Sequence, residues 1–267
     1  MRLDKIIVIM QKEFDEIMKN RMIIGTLLLM PLVFAVIVPL AMVAPVAFSP
    51  NAFTSNQTAN YIGLLPGTSG ESPQVALIHY FTAAIMPLFM MLPAMLPIVI
   101  SAYSIIGEKR NRTLEPLLAA PVTEYDIMIG KTLSAIIPAL LATWLSAVLL
   151  FVITAGVTYT AMHTVIIPDP YLWGVGMLLL APVLSFLAVM CTVIISSRVN
   201  DPRVAQQVSA IFLLPVMGVF FVEISGLFML SVQMVLVLTI VVLALDALAL
   251  RVGKALFARE EILTRWK

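Results

Sequence analysis

Long runs without Asp, Glu, Lys or Arg dominate the chain: 22–70, 72–107, 132–168, 170–197, 204–222 and 224–245. A membrane helix needs about 20 apolar residues, because each adds about 1.5 Å toward a hydrocarbon core roughly 30 Å thick. Trimming polar and Gly/Pro-rich ends predicts six spans, near 22–47, 77–106, 132–157, 171–195, 205–222 and 231–250. The first would reach about 39 Å as a straight helix, so it should tilt or kink, and Pro31 and Pro39 are the kink sites. It is also too long for the apolar core of a secretory signal.

Two segments break the pattern. In 1–21, Ile6, Met10, Phe14, Ile17 and Met18 recur at helical spacing, with Lys12, Glu13, Asp15 and Glu16 elsewhere. This predicts an amphipathic elbow helix lying in the membrane interface. In the fifth span, Gln206, Gln207 and Ser209 leave only a short apolar stretch before Glu223. Residues 224–231 then read as a short helical piece returning to the outer surface, a re-entrant link that must pack against protein. The expected fold class is therefore all-α integral membrane, in one domain covering 1–267.

Composition supports this class. Hydrophobic residues make up 61% and charged residues 12% of 267. Soluble domains average roughly 45–50% apolar and about 25% charged. That balance excludes an ordinary soluble enzyme, a disordered chain and a nucleic-acid-binding domain. A lone cysteine, Cys191, excludes an intrachain disulfide framework. The net charge of +1 is uninformative, but the placement of cations is not. Lys and Arg occupy 1–21, 107–131, 196–204 and 251–267, and none falls in 48–76 or 158–170. Cytoplasmic loops carry the Lys/Arg excess, so both termini, including the 251–267 tail, are expected in the cytoplasm of a multi-pass cell-membrane protein.

Several motifs invite chemistry. Gly130-Lys131-Thr132 ends like a phosphate-binding loop, but Tyr125 stands where the upstream glycine belongs and no strand precedes it. This chain alone is not expected to bind ATP or any other cofactor, nor to be an enzyme. Gly67-Thr68-Ser69-Gly70 resembles an intramembrane serine-protease sequence, yet it sits in a polar outer loop. Glu223 and Asp246 are the acids nearest the membrane interior, where a carboxylate is costly and a functional candidate by default. Asp246 lies close to Arg251 and the inner surface. Glu223 is read equally as a pathway or gate residue and as a structural anchor. His79 and His163 are read as interface residues.

The segment GEKRNRTLEPLLAAPVTEYDIMIGK, residues 107–131, concentrates eight charges in an otherwise charge-poor chain. Arg110 to Leu118 fits a short helix with Leu114, Leu117 and Leu118 on one face. Pro121 breaks it, and Thr123 with Asp126 resembles a capping box for the next helix. Two mixed-charge helical pieces around a proline turn suit docking to a soluble partner.

These residues carry a resemblance. Glu108-Lys109-Arg110, Thr113-Leu114-Glu115, Leu117-Leu118, Pro121-Val122-Thr123 and Gly130-Lys131 are similar to the signature between the second and third spans of ABC-2 type transporter permeases. Arg112 departs from that family's usual glycine. Lys12-Glu13 and Lys19-Asn20-Arg21, before an apolar span with Pro31, resemble the approach to that family's first helix. Without a large outer domain, the chain looks closest to the sodium-efflux and multidrug-type branch. The resemblance implies an export permease, paired with a second copy or paralogue in membrane lipid, and driven by a separate ATP-binding-cassette ATPase subunit that binds the ATP. It implies ATPase coupling through Glu108, Arg110, Arg112, Leu114, Glu115, Leu117, Leu118 and Pro121. The competing readings are an intramembrane hydrolase using Ser69 or Glu223, and a membrane assembly protein without transport.

Overall fold

The computed structural model describes residues 3–49, 72–111 and 124–256. The described residues are helical with short links and contain no strand. Helix α1 (Leu3–Lys19) leads to α2 (Arg21–Met42) and the short α3 (Ala44–Phe48). Next come α4 (Pro73–Phe89), α5 (Met91–Asn111) and the long α6 (Glu124–Met162). Then follow α7 (Pro170–Val175), α8 (Ala181–Arg198), α9 (Pro202–Ser209), α10 (Leu214–Ile224) and α11 (Val232–Leu256).

Among the described residues, six helical stretches are long and apolar enough to cross a membrane: Arg21–Phe48, Pro73–Glu108, Asp126–Met162, Pro170–Ser196, Pro202–Ile224 and Val232–Arg251. Three of them start where a side chain satisfies otherwise orphaned amides. Asn20 Oδ1 accepts from Met22 N–H and Ile23 N–H at 3.0 and 3.4 Å. Asp169 does the same for Tyr171 and Leu172, and Asp201 for Arg203.

Proline shapes the interiors. The helix runs through Pro31 and Pro39 and yields at Val43. Pro93 cannot donate to the Phe89 carbonyl, and the helix breaks just before it at Met90. A π-helical turn, Gly176–Leu180, joins α7 to α8 ahead of Pro182, with Ala181 N–H reaching back to the Gly176 carbonyl. That wider turn frees carbonyls, and the Trp144 indole N–H donates to one of them, Met177, at 2.9 Å. In the fifth span a 3₁₀ turn, Ala210–Leu213, separates α9 from α10. Pro215 has no N–H for the Ile211 carbonyl, so Leu214 N–H takes it instead in the tighter pattern.

The link 224–231 differs from the sequence expectation. Beyond Ile224, the last residue of α10, it is a turn and an irregular stretch, not a helical piece. Gly226 has φ 78°, a left-handed conformation that ends a helix and is open to glycine.

The buried centre lies along α4, α5 and α8, with α6 and α11 flanking α8 and α2 lying on α6. Trp173 sits edge-on to both Phe89 and Phe151, at 5.3 and 5.6 Å between ring centroids. Helix α1 packs on α6, which brings the first residues of the chain to the charged end of the second and third spans.

Candidate functional site

One face of α1 is set by Ile6, Ile9, Glu13 and Ile17, all buried at helical spacing. The face packed on protein runs one position away from the expected apolar stripe. Phe14 and Met18 are exposed, and Glu13 lies in the packed face with only 2% of its surface accessible. The reason is across the interface. Gly130 of α6 has no side chain, and a Cβ there would stand 2.8 Å from Ile9 Cγ2. The two helices therefore approach closely, and Glu13 comes within reach of Lys131.

Lys131 Nζ lies 2.8 Å from Glu13 Oε1 and 2.8 Å from Glu108 Oε2. It also donates to Ser104 Oγ at 3.0 Å, while Ser104 donates its hydroxyl proton to Glu13 Oε2. Lys12 Nζ contacts Glu108 Oε1 at 2.6 Å and, along its own helix, Glu16 at 3.4 Å. Two lysines and two buried glutamates thus join α1, the end of α5 and the beginning of α6. A buried charge is tolerated when paired and hydrogen-bonded.

The cluster shifts its own titration. Burial alone would raise the Glu13 pKa, but the charge and hydrogen bond of Lys131, the Ser104 hydroxyl and the Lys12 charge outweigh it and hold Glu13 below its usual range. For Lys12, burial works against the charged form, and the hydrogen bond and charge of Glu108, with the charges of Glu13 and Glu16, overcome it and raise the pKa.

Of the coupling residues expected from sequence, Glu108 is in this cluster and 3% exposed. Arg110 lies on the last turn of α5. Arg112, Leu114, Glu115, Leu117, Leu118 and Pro121 lie outside the described residues, as do Thr123 and Ser69. Sequence reasoning missed Lys12, Glu13, Ser104 and Lys131 as one site. The signal available was a carboxylate set in an apolar helical stripe, which demands a cationic partner elsewhere. Gly130-Lys131-Thr132 lies inside helix α6, where Lys131 is engaged by two carboxylates.

Glu223 is 0% exposed, at the end of α10. Its Oε1 accepts the Leu230 N–H at 2.8 Å, closing the link to α11. Its backbone carbonyl accepts the Gly226 N–H at 2.9 Å and the Tyr80 hydroxyl of α4. The side chain therefore folds back on its own turn. Asp246 is buried on α11.

The family described as ABC-2 family transporter protein matches residues 7–261, from α1 past the last span. The chain belongs to that family. A search of curated proteins gives no significant match. As an ABC-2 family member, the chain is a multi-pass membrane component of a transporter. The family match includes α1 from residue 7 on, the 107–131 segment and the six membrane-length helices, so the charged joint lies within the matched region.

Proposed function

We propose that this chain is the export permease of an ABC-2 transporter, coupled to a separate ATP-binding-cassette ATPase through 107–131 and α1. The observation that carries the reading is the ion cluster at the base of that segment. Glu108 and Lys131 stand at its two ends and contact each other directly at 2.8 Å. Lys12 and Glu13 tie the same pair to α1. A displacement of the segment would pass into α1, α5 and α6 together, because these elements share buried charges that resist separation.

In this reading, closure of the ATPase dimer pushes on 107–131. Leu114, Leu117 and Leu118 anchor the contact, and Arg110, Arg112 and Glu115 line its rim. Two permease copies, or this chain and a paralogue, form the path between them. Both termini face the cytoplasm in a cell membrane, as the Lys/Arg placement favours. The chain contributes no catalysis and holds no cofactor; the partner binds the ATP.

Single rim charges contribute only about 0–1 kcal/mol, so the test removes the anchors. Leu117→Ala with Leu118→Ala should leave the permease in the membrane but abolish transport-linked ATP hydrolysis and weaken co-purification with the ATPase. Wild-type coupling and co-purification in the double variant would move the docking surface to α1.

A further inference from the structure

A cavity of about 190 Å³ lies between α4, the start of α8, the fifth span and α11. Met86, Met90, Leu180 and Leu184 form its buried back wall. Every described residue around it is Met, Pro, Leu, Phe or Val, so among the described residues no lining side chain carries a charge or a conventional hydrogen-bond donor. Apart from Leu230 in the link, the lining positions are central in four membrane-length helices, which puts the cavity near mid-membrane depth.

Local distortions make the space. The π-helical turn ends at Leu180, on the back wall, and Gly176 within it leaves room for the Met86 side chain. Pro87 and Pro215, both in the lining, remove two backbone donors that would otherwise be present there. On the other side the cavity opens. Helix α10 packs on α4 and α11 packs on α8, and among the described residues no substantial packing joins α10 to α11. Val241 and Leu245, on the α11 edge of the lining, are exposed, as is Pro215 on α10.

We propose that this cavity is a binding site for the end of a membrane phospholipid acyl chain, entering laterally between α10 and α11. Three observations select this occupant. The lining offers nothing to a headgroup or a polar solute, whose desolvation would go uncompensated. At this depth the medium reaching the opening is hydrocarbon. The volume exceeds the roughly 150 Å³ of an engineered apolar cavity that stays dry and takes up benzene, so the last few carbons of a chain fit. Burial of methylenes against Met86 and Met90, whose side chains are flexible and polarisable, accommodates chains of different shape. Glu223 positions the outer edge of the site, because it holds the Leu230 backbone and Leu230 lines the cavity.

The test uses the full chain in phosphatidylcholine vesicles doped with a phosphatidylcholine carrying a diazirine near the methyl end of one acyl chain. After illumination, labelled positions are mapped by mass spectrometry. Labelling is expected on the buried Met86, Met90 or Leu184 as well as on exposed Ile240 of α11. Val216→Trp, which fills the cavity from α10, should abolish back-wall labelling and keep the Ile240 label. Leu184→Phe fills it from the opposite side and serves where the first variant does not reach the membrane. Label confined to exposed positions in the wild type overturns the proposal. So does back-wall labelling that persists in a filled variant. A photo-methionine at Met90 that joins two copies of the chain, in place of a lipid, would assign the cavity to a partner protomer and overturn it equally.

Discussion

Lys131 holds two buried carboxylates at once, Glu13 and Glu108, both at 2.8 Å. Its removal takes the nearest cation from Glu13 and leaves Glu108 with Lys12 alone, and breaking a buried pair from one side costs about 3–5 kcal/mol. Lys131→Met should therefore lower the thermal stability of the detergent-purified chain more than Glu13→Gln. The amide of Glu13→Gln still accepts from Ser104, and Lys131 keeps Glu108. Equal melting temperatures for wild type and Lys131→Met would remove the cluster from the account of stability. The cluster also sets a pH window. Glu13 is depressed in the fold, so its contribution is present above the ordinary glutamate range, about 4.3, and is lost as pH falls through the lower folded value. Lys12 is raised, so its contribution is present below about 10.4 and is lost only as pH climbs through the higher folded value. Docking of α1 on α6, followed by a fluorescence pair across that interface, should be flat between these limits and fall below pH 4.

At the scale of elements, the turn between α10 and α11 depends on Glu223. Leu230 N–H needs an acceptor at Glu223 Oε1. Glu223→Gln keeps a carbonyl oxygen for that role, whereas Glu223→Leu leaves a buried amide unsatisfied at about 1–3 kcal/mol. Thermal unfolding should place Glu223→Gln near wild type and Glu223→Leu well below it. Transport lost in Glu223→Gln at wild-type stability would instead give the carboxyl itself a place in the pathway. The same scale shows what a pattern of apolar positions can and cannot resolve. Low net polarity made the fifth span legible, and its polar start at Gln206 and Gln207 was visible. The helical reading of 224–231 failed because the segment is apolar enough to continue a helix, while Gly226 in a left-handed conformation ends it. In α1 the helical period was legible, but adjacent positions lie only about 100° apart. Period alone did not tell the face through Ile9 and Glu13 from the one through Met10 and Phe14.

For the whole molecule, the cation distribution predicts six crossings with both termini inside. Reporter fusions at Thr68, Ser197 and the C-terminus should read outside, inside and inside. A cytoplasmic signal at Thr68 would reverse the orientation. That arrangement places the Glu13–Lys131 joint at the inner surface, on the side where an ATPase would act, and leaves Glu223 toward the outer one.

The sequence by itself determined the membrane class and the six membrane-length helices. Apolar run length is a local property, and hydrocarbon imposes the same length on every crossing. It also marked 107–131 as the charged segment of an ABC-2 permease, through motif residues contiguous in the chain. Only the tertiary structure decided that Glu13 meets Lys131 and Ser104, across separations of 118 and 91 residues. It likewise decided that Glu223 closes its own turn, and that a π turn, a 3₁₀ turn and several prolines leave a space between α10 and α11. Those outcomes depend on which helices lie side by side and how closely they approach. Gly130 beneath Ile9 sets one such distance, and only packing of the whole bundle discloses it.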